Sequence, residues 1–147
     1  MFKTLQRIRV EWSHCDPARI IYNPHYYVWM DQATHQLLHA VGFSMFEEIK
    51  HSDFRGCPLV SSGLEFKHPL FLGEIVTVTS FVETIGTSSF TVKHTFTNPD
   101  KTVVAEGQEI RVWAVTDPED PARMTSTPVP DRVRRALERP GVVDTTV

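Results

Sequence analysis

The segment Glu11-Trp12-Ser13-His14-Cys15-Asp16-Pro17-Ala18-Arg19-Ile20-Ile21-Tyr22-Asn23-Pro24-His25-Tyr26-Tyr27 decides how this chain is read. It places a carboxylate, two histidines and a thiol directly ahead of a helix start. Asn23-Pro24 marks that start, since Asn is a favoured cap and Pro a favoured first helical residue. From Pro24 to Val41 there is no glycine and no further proline. Tyr26, Met30, Ala33, Leu37 and Val41 recur at steps of three and four, an apolar stripe. Gly42 supplies the stop. The spacing predicts a helix of roughly 18 residues, about 27 Å long. Ser44 and Glu47 form a capping-box pattern for a second, short helix ending near Lys50.

Working outward, Ile8, Val10 and Trp12 alternate with Arg9 and Glu11, the pattern of a half-buried strand. Beyond Pro58, the stretches Leu59–His68, Glu74–Ile85, Ser88–Thr97 and Thr102–Val115 are rich in Val, Thr, Phe and Ile. Turn material separates them at Pro69/Gly73, Gly86-Thr87 and Asn98-Pro99-Asp100. They read as a four-stranded antiparallel meander. Pro118 to Pro130 reads as a loop, and Asp131–Arg139 as a terminal helix capped by Asp131. The expected architecture is α+β: one strand, a long helix, then four strands, giving a five-stranded antiparallel sheet. One long helix can cover one sheet face, so the chain is expected to be a homodimer or a dimer of dimers.

The chain has 147 residues, room for one domain but not two. Hydrophobic residues make up 41% and charged residues 22%, which excludes a wholly disordered chain. A net charge of −3 argues against a binder of nucleic acid. No apolar run approaches the roughly 20 residues of a membrane span, and the first residues do not resemble a signal peptide. Two cysteines, Cys15 and Cys57, are too few for a disulfide scaffold, so a cytoplasmic protein is expected.

A helix start offers unpaired backbone N–H groups and partial positive charge. Those donors suit an oxygen that becomes anionic during reaction. Pro24 has no N–H, which leaves Asn23, His25 or Tyr26. A carboxylate nearby suits attack on a carbonyl, directly or through water. The plainer alternative is that Asp16-Pro17 is merely a turn that Asp16 caps. Cys15 is a rival nucleophile, but adjacent residues of an extended segment point opposite ways. His14 and Asp16 would share one side and Cys15 would face away. His35 and His39 share a helix face at metal-ligand spacing, yet no further ligand cluster accompanies them; no metal is expected. Ser61 and Ser62 lack the Gly-x-Ser-x-Gly elbow of a serine hydrolase.

Asp16-Pro17-Ala18, Ile20-Ile21-Tyr22, Asn23-Pro24-His25-Tyr26 and Trp29-Met30-Asp31 together resemble the 4-hydroxybenzoyl-CoA thioesterase family of hotdog-fold proteins. The resemblance is strongest over residues 8–42 and continues to about residue 116, through the strand order and Pro58-Leu59-Val60-Ser61. It implies a hotdog fold, an antiparallel sheet wrapped around one long helix. The chain is expected to form a single hotdog thioesterase domain over residues 1–140, with 141–147 as a flexible tail. The implied activity is acyl-CoA hydrolysis to a carboxylate and free CoA, with an aryl-CoA as the candidate substrate, acyl-CoA as partner and no separate cofactor. Carried over, the catalytic aspartate falls on Asp16 and the backbone oxyanion donor on Asn23, with Asp31 a supporting acidic position. Tyr22, His25, Tyr26 and Ser61 are the candidate substrate-binding residues. Arg19 stands where the family usually has Gly, which permits positive φ. His14 and Asn23 also depart from the family pattern. Alternatives are a thioesterase for short acyl-CoA or for acyl-carrier protein, or a non-catalytic hotdog module that binds acyl-CoA.

Overall fold

A computed structural model describes all 147 residues. Nine strands and three α-helices form. The larger sheet has six strands: β1 (Phe2–Arg9), β3 (Leu59–Phe66), β4 (Ile75–Ile85), β5 (Ser89–Thr97), β6 (Val103–Val112) and β9 (Gly141–Asp144). Their spatial order is β3-β6-β5-β4-β1-β9. A smaller sheet runs in the order β2 (Phe54–Gly56), β7 (Ala114–Asp117), β8 (Asp120–Ser126). The helices are α1 (Pro24–Ala40), α2 (Met45–His51) and α3 (Asp131–Glu138).

Four expectations are corrected. The sheet has six strands and is mixed, because β9 runs parallel to β1. Residues 141–147 are therefore not simply a loose tail: Arg7 pairs with Asp144 at 2.6 Å, and Thr145 N–H donates to the Leu5 carbonyl. The meander is β4-β5-β6 only, since β3 lies beyond β6 rather than beside β4. The connection carrying Pro69 spans the sheet and buries Leu70 in the core. The stretch 118–130, expected as loop, contains β8, which pairs with β7. Capping also differs. Neither Asn23 nor Asp131 caps by its side chain; Pro130 precedes α3, and Asp131 is its first residue.

Alternation explains the core. In β5, Phe90, Val92, His94 and Phe96 are buried, while Thr91, Lys93 and Thr95 face the other way half-buried. The first half of α1 lays Tyr26, Trp29, Met30 and Ala33 on Val76, Val78, Phe96, Val104 and Ala105. Its second half, Leu37 and Leu38, packs with Phe43, Phe54, Trp113 and Leu137. Gly107 lets α1 come close: a Cβ there would collide with the Met30 sulfur.

Between these clusters, the inward positions of the sheet carry charge. Glu109 and His94 have almost no side-chain exposure. Arg111 is also buried. Its guanidinium donates to Glu109 at 2.7 Å, to Asp31 of α1 at 2.6 Å and to the Cys57 carbonyl at 2.9 Å. Thr34 donates to Glu109 at 2.5 Å, and His94 lies 3.1 Å from the same carboxylate. Burial opposes ionisation of Glu109 most strongly. Hydrogen bonds from His94, Arg111 and Thr34 together outweigh it and hold the carboxyl down at about 2. Because β4, β5, β6 and α1 all contribute (Ser80 lies 2.7 Å from His94), this network clamps the helix to the sheet.

Candidate active site

The Asp16 segment folds as a small hairpin. Cys15 bridges Ile21, and Ile20 bridges Phe71 in the connection before β4. Asp16 N–H donates to the Ile20 carbonyl, and Arg19 N–H to the Asp16 carbonyl, closing the tip. The Asp16 side chain accepts Ala18 N–H through Oδ1 at 2.8 Å, an Asx turn. The turn reading is thus correct, but it uses only Oδ1. Asp16 is partly exposed, and Oδ2 has no protein hydrogen bond or salt bridge. Arg19 has φ 66°, so it adopts the left-handed conformation that Gly would supply more cheaply. Its carbonyl is fixed by Leu72 N–H at 3.1 Å. Arg19 thus occupies the positive-φ conformation that a Gly at this position would permit.

The hairpin runs straight into α1. Tyr22 N–H donates to the His14 carbonyl at 2.9 Å. His25 N–H is taken by the Tyr22 carbonyl at 3.0 Å and Tyr26 N–H by the Asn23 carbonyl at 3.1 Å. Of the three donors considered, only the Asn23 N–H remains without a protein acceptor. Asn23 and Tyr26 border a cleft of about 360 Å³, whose other walls include Ile20, Ile21, Phe66 and Leu70.

Not every candidate converges there. Asp16 is at the hairpin tip and does not line the cleft. Tyr22 is exposed at the rim, its ring 6.2 Å from that of His25. Tyr26 is buried, packed edge-on against Phe66 and Phe96. Burial, then Glu74, pushes its phenol up to about 12, so it stays protonated at neutral pH. Ser61 lies elsewhere. Register pairs Ser62 with inward-facing Glu109 and Ser61 with Ile110, so Ser61 is on the sheet face away from α1. Within one chain Ser61 cannot join the cleft; Ser62 faces the helix side.

The cysteine alternative weakens. Burial, then the neighbouring Asp16, raises the Cys15 thiol above its ordinary value. Cys57 is buried and pushed up to about 12 by desolvation, with Arg111 acting in the opposite direction. Neither forms a thiolate readily. His35 approaches Asp31 at 3.8 Å on the outer side of α1. The sequence reading missed the Glu109–Arg111–His94 network; three polar residues at inward strand positions were its only signal.

A long helix laid across a mostly antiparallel sheet is the hotdog arrangement. The chain matches the Thioesterase-like superfamily over residues 10–137 and belongs to that family. It is an enzyme of the thioester-hydrolase class. A curated relative, the 4-hydroxybenzoyl-CoA thioesterase of Pseudomonas sp. (strain CBS-3), is 29% identical over 121 residues, covering 79% of this chain and 85% of the relative. The structure of a gentisyl-coenzyme A thioesterase is 32% identical with a TM-score of 0.78, covering 90% of this chain and 98% of that one. A 4-hydroxybenzoyl-CoA thioesterase mutant complexed with 4-hydroxybenzoyl-CoA shares the fold at a TM-score of 0.83 and 23% identity, covering 92% and 99%. No helix of this chain is long and apolar enough to cross a membrane.

Proposed function

We propose that this protein hydrolyses an aryl-CoA thioester to an aryl carboxylate and free CoA. The observation that carries the proposal is the single unpaired donor at the α1 start, Asn23 N–H, on the same short segment as a carboxylate with one free oxygen. The thioester oxygen accepts from Asn23 N–H, where the helix dipole stabilises charge as it develops. Asp16 Oδ2 attacks the carbonyl carbon to form a mixed anhydride, or removes a proton from the attacking water. Either way the C–S bond breaks, the CoA thiolate leaves and takes up a proton, and water supplies the new carboxylate oxygen. These steps need no resident cofactor, since CoA belongs to the substrate. The aryl preference draws support from the names of the two relatives above and from the aromatic wall of Tyr26 and Phe66.

Thiol release across aryl-, short- and long-chain acyl-CoAs and an acyl-carrier protein is the direct test. The expected result is kcat/KM highest for the hydroxylated aryl-CoAs. A maximum on an aliphatic thioester overturns the substrate class, and no release from any of them overturns the enzymatic reading in favour of a binding module.

The working form is a homodimer paired through β3. This strand is an eight-residue edge, exposed along nearly all its length, and it shows Leu59, Val60 and Phe66 to solvent. It has no proline and no lysine to discourage pairing. The opposite edge, β9, is only four residues long. Sedimentation equilibrium should give twice the chain mass at micromolar concentration; a monomer there would remove the proposal.

A further inference from the structure

His14 is half-buried beside the Asp16 hairpin, and its ring is held on three sides. Glu11 N–H donates to His14 Nδ1 at 2.9 Å. In return, the His14 N–H donates to the Glu11 carbonyl at 3.0 Å, so the two residues are joined twice and cap the Trp12–His14 turn. The His25 ring stands 5.1 Å away and the Trp29 ring 5.2 Å away, both edge-to-face. A nitrogen that accepts a backbone N–H cannot itself carry a proton. The proton of the neutral ring is therefore on Nε2.

The backbone of His14 is the first rung of the ladder that holds the hairpin. Its carbonyl takes Tyr22 N–H, the next residue bridges Ile21, and Asp16 N–H takes the Ile20 carbonyl. Tyr22 is in turn the residue before Asn23. We infer that His14 is a positioning residue for both Asp16 and Asn23, and that it holds them only as the neutral Nε2–H imidazole, so that acidification releases the loop and switches hydrolysis off.

The physical reasons are three. A proton on Nδ1 would face the Glu11 N–H, donor against donor, and open the cap. The aromatic nook of Trp29 and His25 offers little solvation to a charge. A cationic His14 would also stand beside His25, which can itself become cationic. The titratable groups facing the ring are His25 from α1 and Glu11 from its own turn. Burial and then His25 lower the His14 pKa, and Glu11 raises it, for a net lowering. The sign follows: the neutral form is favoured, and the loop lets go as pH falls through a midpoint below that of an ordinary histidine, about 6.5.

His14 has this role only if Asp16 and Asn23 act on the thioester as proposed above, so the test has two independent arms. In the first, nitrogen NMR of the histidine-labelled full chain should show His14 as the Nε2–H tautomer, titrating below about pH 6.5. An Nδ1–H tautomer overturns the inference whatever the activity. In the second, kcat/KM is followed from about pH 8 to about pH 5 for the parent and His14→Asn. Asparagine places an acceptor oxygen at the position of Nδ1 but cannot be protonated. The parent should lose roughly tenfold per pH unit below the midpoint, and His14→Asn should lack that limb, whatever its absolute rate. His25→Asn should move the limb upward, because a repelling neighbour is gone. The same acid limb in His14→Asn as in the parent overturns the inference. A parent that releases no thiol from any substrate would instead sink the thioesterase reading, and the tautomer would still be decided by NMR.

Discussion

Asp16→Asn is expected to lower kcat for thioester hydrolysis by about 10³-fold or more, since the nucleophilic or general-base role is lost as a whole. By transition-state arithmetic that loss is about 4 kcal/mol. The substitution is a clean one for a structural reason. Only Oδ1 of Asp16 is used in the fold, accepting Ala18 N–H at 2.8 Å. An asparagine amide oxygen can accept that same bond, so the turn survives and only the free carboxylate oxygen is replaced. The variant should therefore keep the parent's circular dichroism spectrum and melting temperature while losing thiol release. Full activity of a folded Asp16→Asn protein on every thioester the parent accepts would remove Asp16 from the mechanism and return it to the role of a turn residue.

Glu109→Gln is expected to destabilise the fold by about 3–5 kcal/mol, read from urea denaturation. The reason is asymmetry. With the carboxylate present, the Arg111 guanidinium is balanced by Glu109 at 2.7 Å and by Asp31 at 2.6 Å. Without it, a buried cation retains only half-exposed Asp31 and the Cys57 carbonyl, while His94 and Thr34 lose an ionised acceptor. Replacing Glu109 and Arg111 together by apolar residues should recover much of the loss, because the remaining penalty is that of an unpaired charge rather than of the missing pair. A loss below about 1 kcal/mol in Glu109→Gln would show that the network contributes little net stability. The pH dependence has a definite sign. The folded carboxyl lies at about 2, below its ordinary 4.5. Its stabilising contribution is present above about pH 4.5 and is lost as pH falls through 2. Glu109→Gln should therefore flatten the stability curve on the acid side.

Much of this was legible in the order of residues. The α1 stripe, its proline start and its Gly42 stop are local signals, and α1 ends at Ala40 with Gly42 at φ 89°. The stretch Ser88–Thr97, expected as a strand, forms one, with Phe90, Val92 and Phe96 buried at alternate positions. The pairing partners were less legible. Nothing in Leu59–Phe66 says that it skips β4 to lie against β6, since strand order depends on where the connection through Leu70 can pass. The strand at Gly141–Asp144 was read as a tail because four residues carry little periodicity; its stability comes from β1 and the Arg7–Asp144 pair.

The same division runs through the site. By itself the sequence determined that a carboxylate, Asp16, precedes a helix whose first turn has spare donors, because both facts follow from local chain geometry. Which donor is spare took the folded backbone to decide: the N–H groups of His25 and Tyr26 go to the carbonyls of Tyr22 and Asn23, while the Asn23 N–H stays free. The tertiary structure also decided that Ser61 faces away from α1, which is a matter of register. And it made Arg111 a buried clamp, because burial depends on which residues meet across the sheet, and Asp31 and Cys57 lie far from Arg111 along the chain.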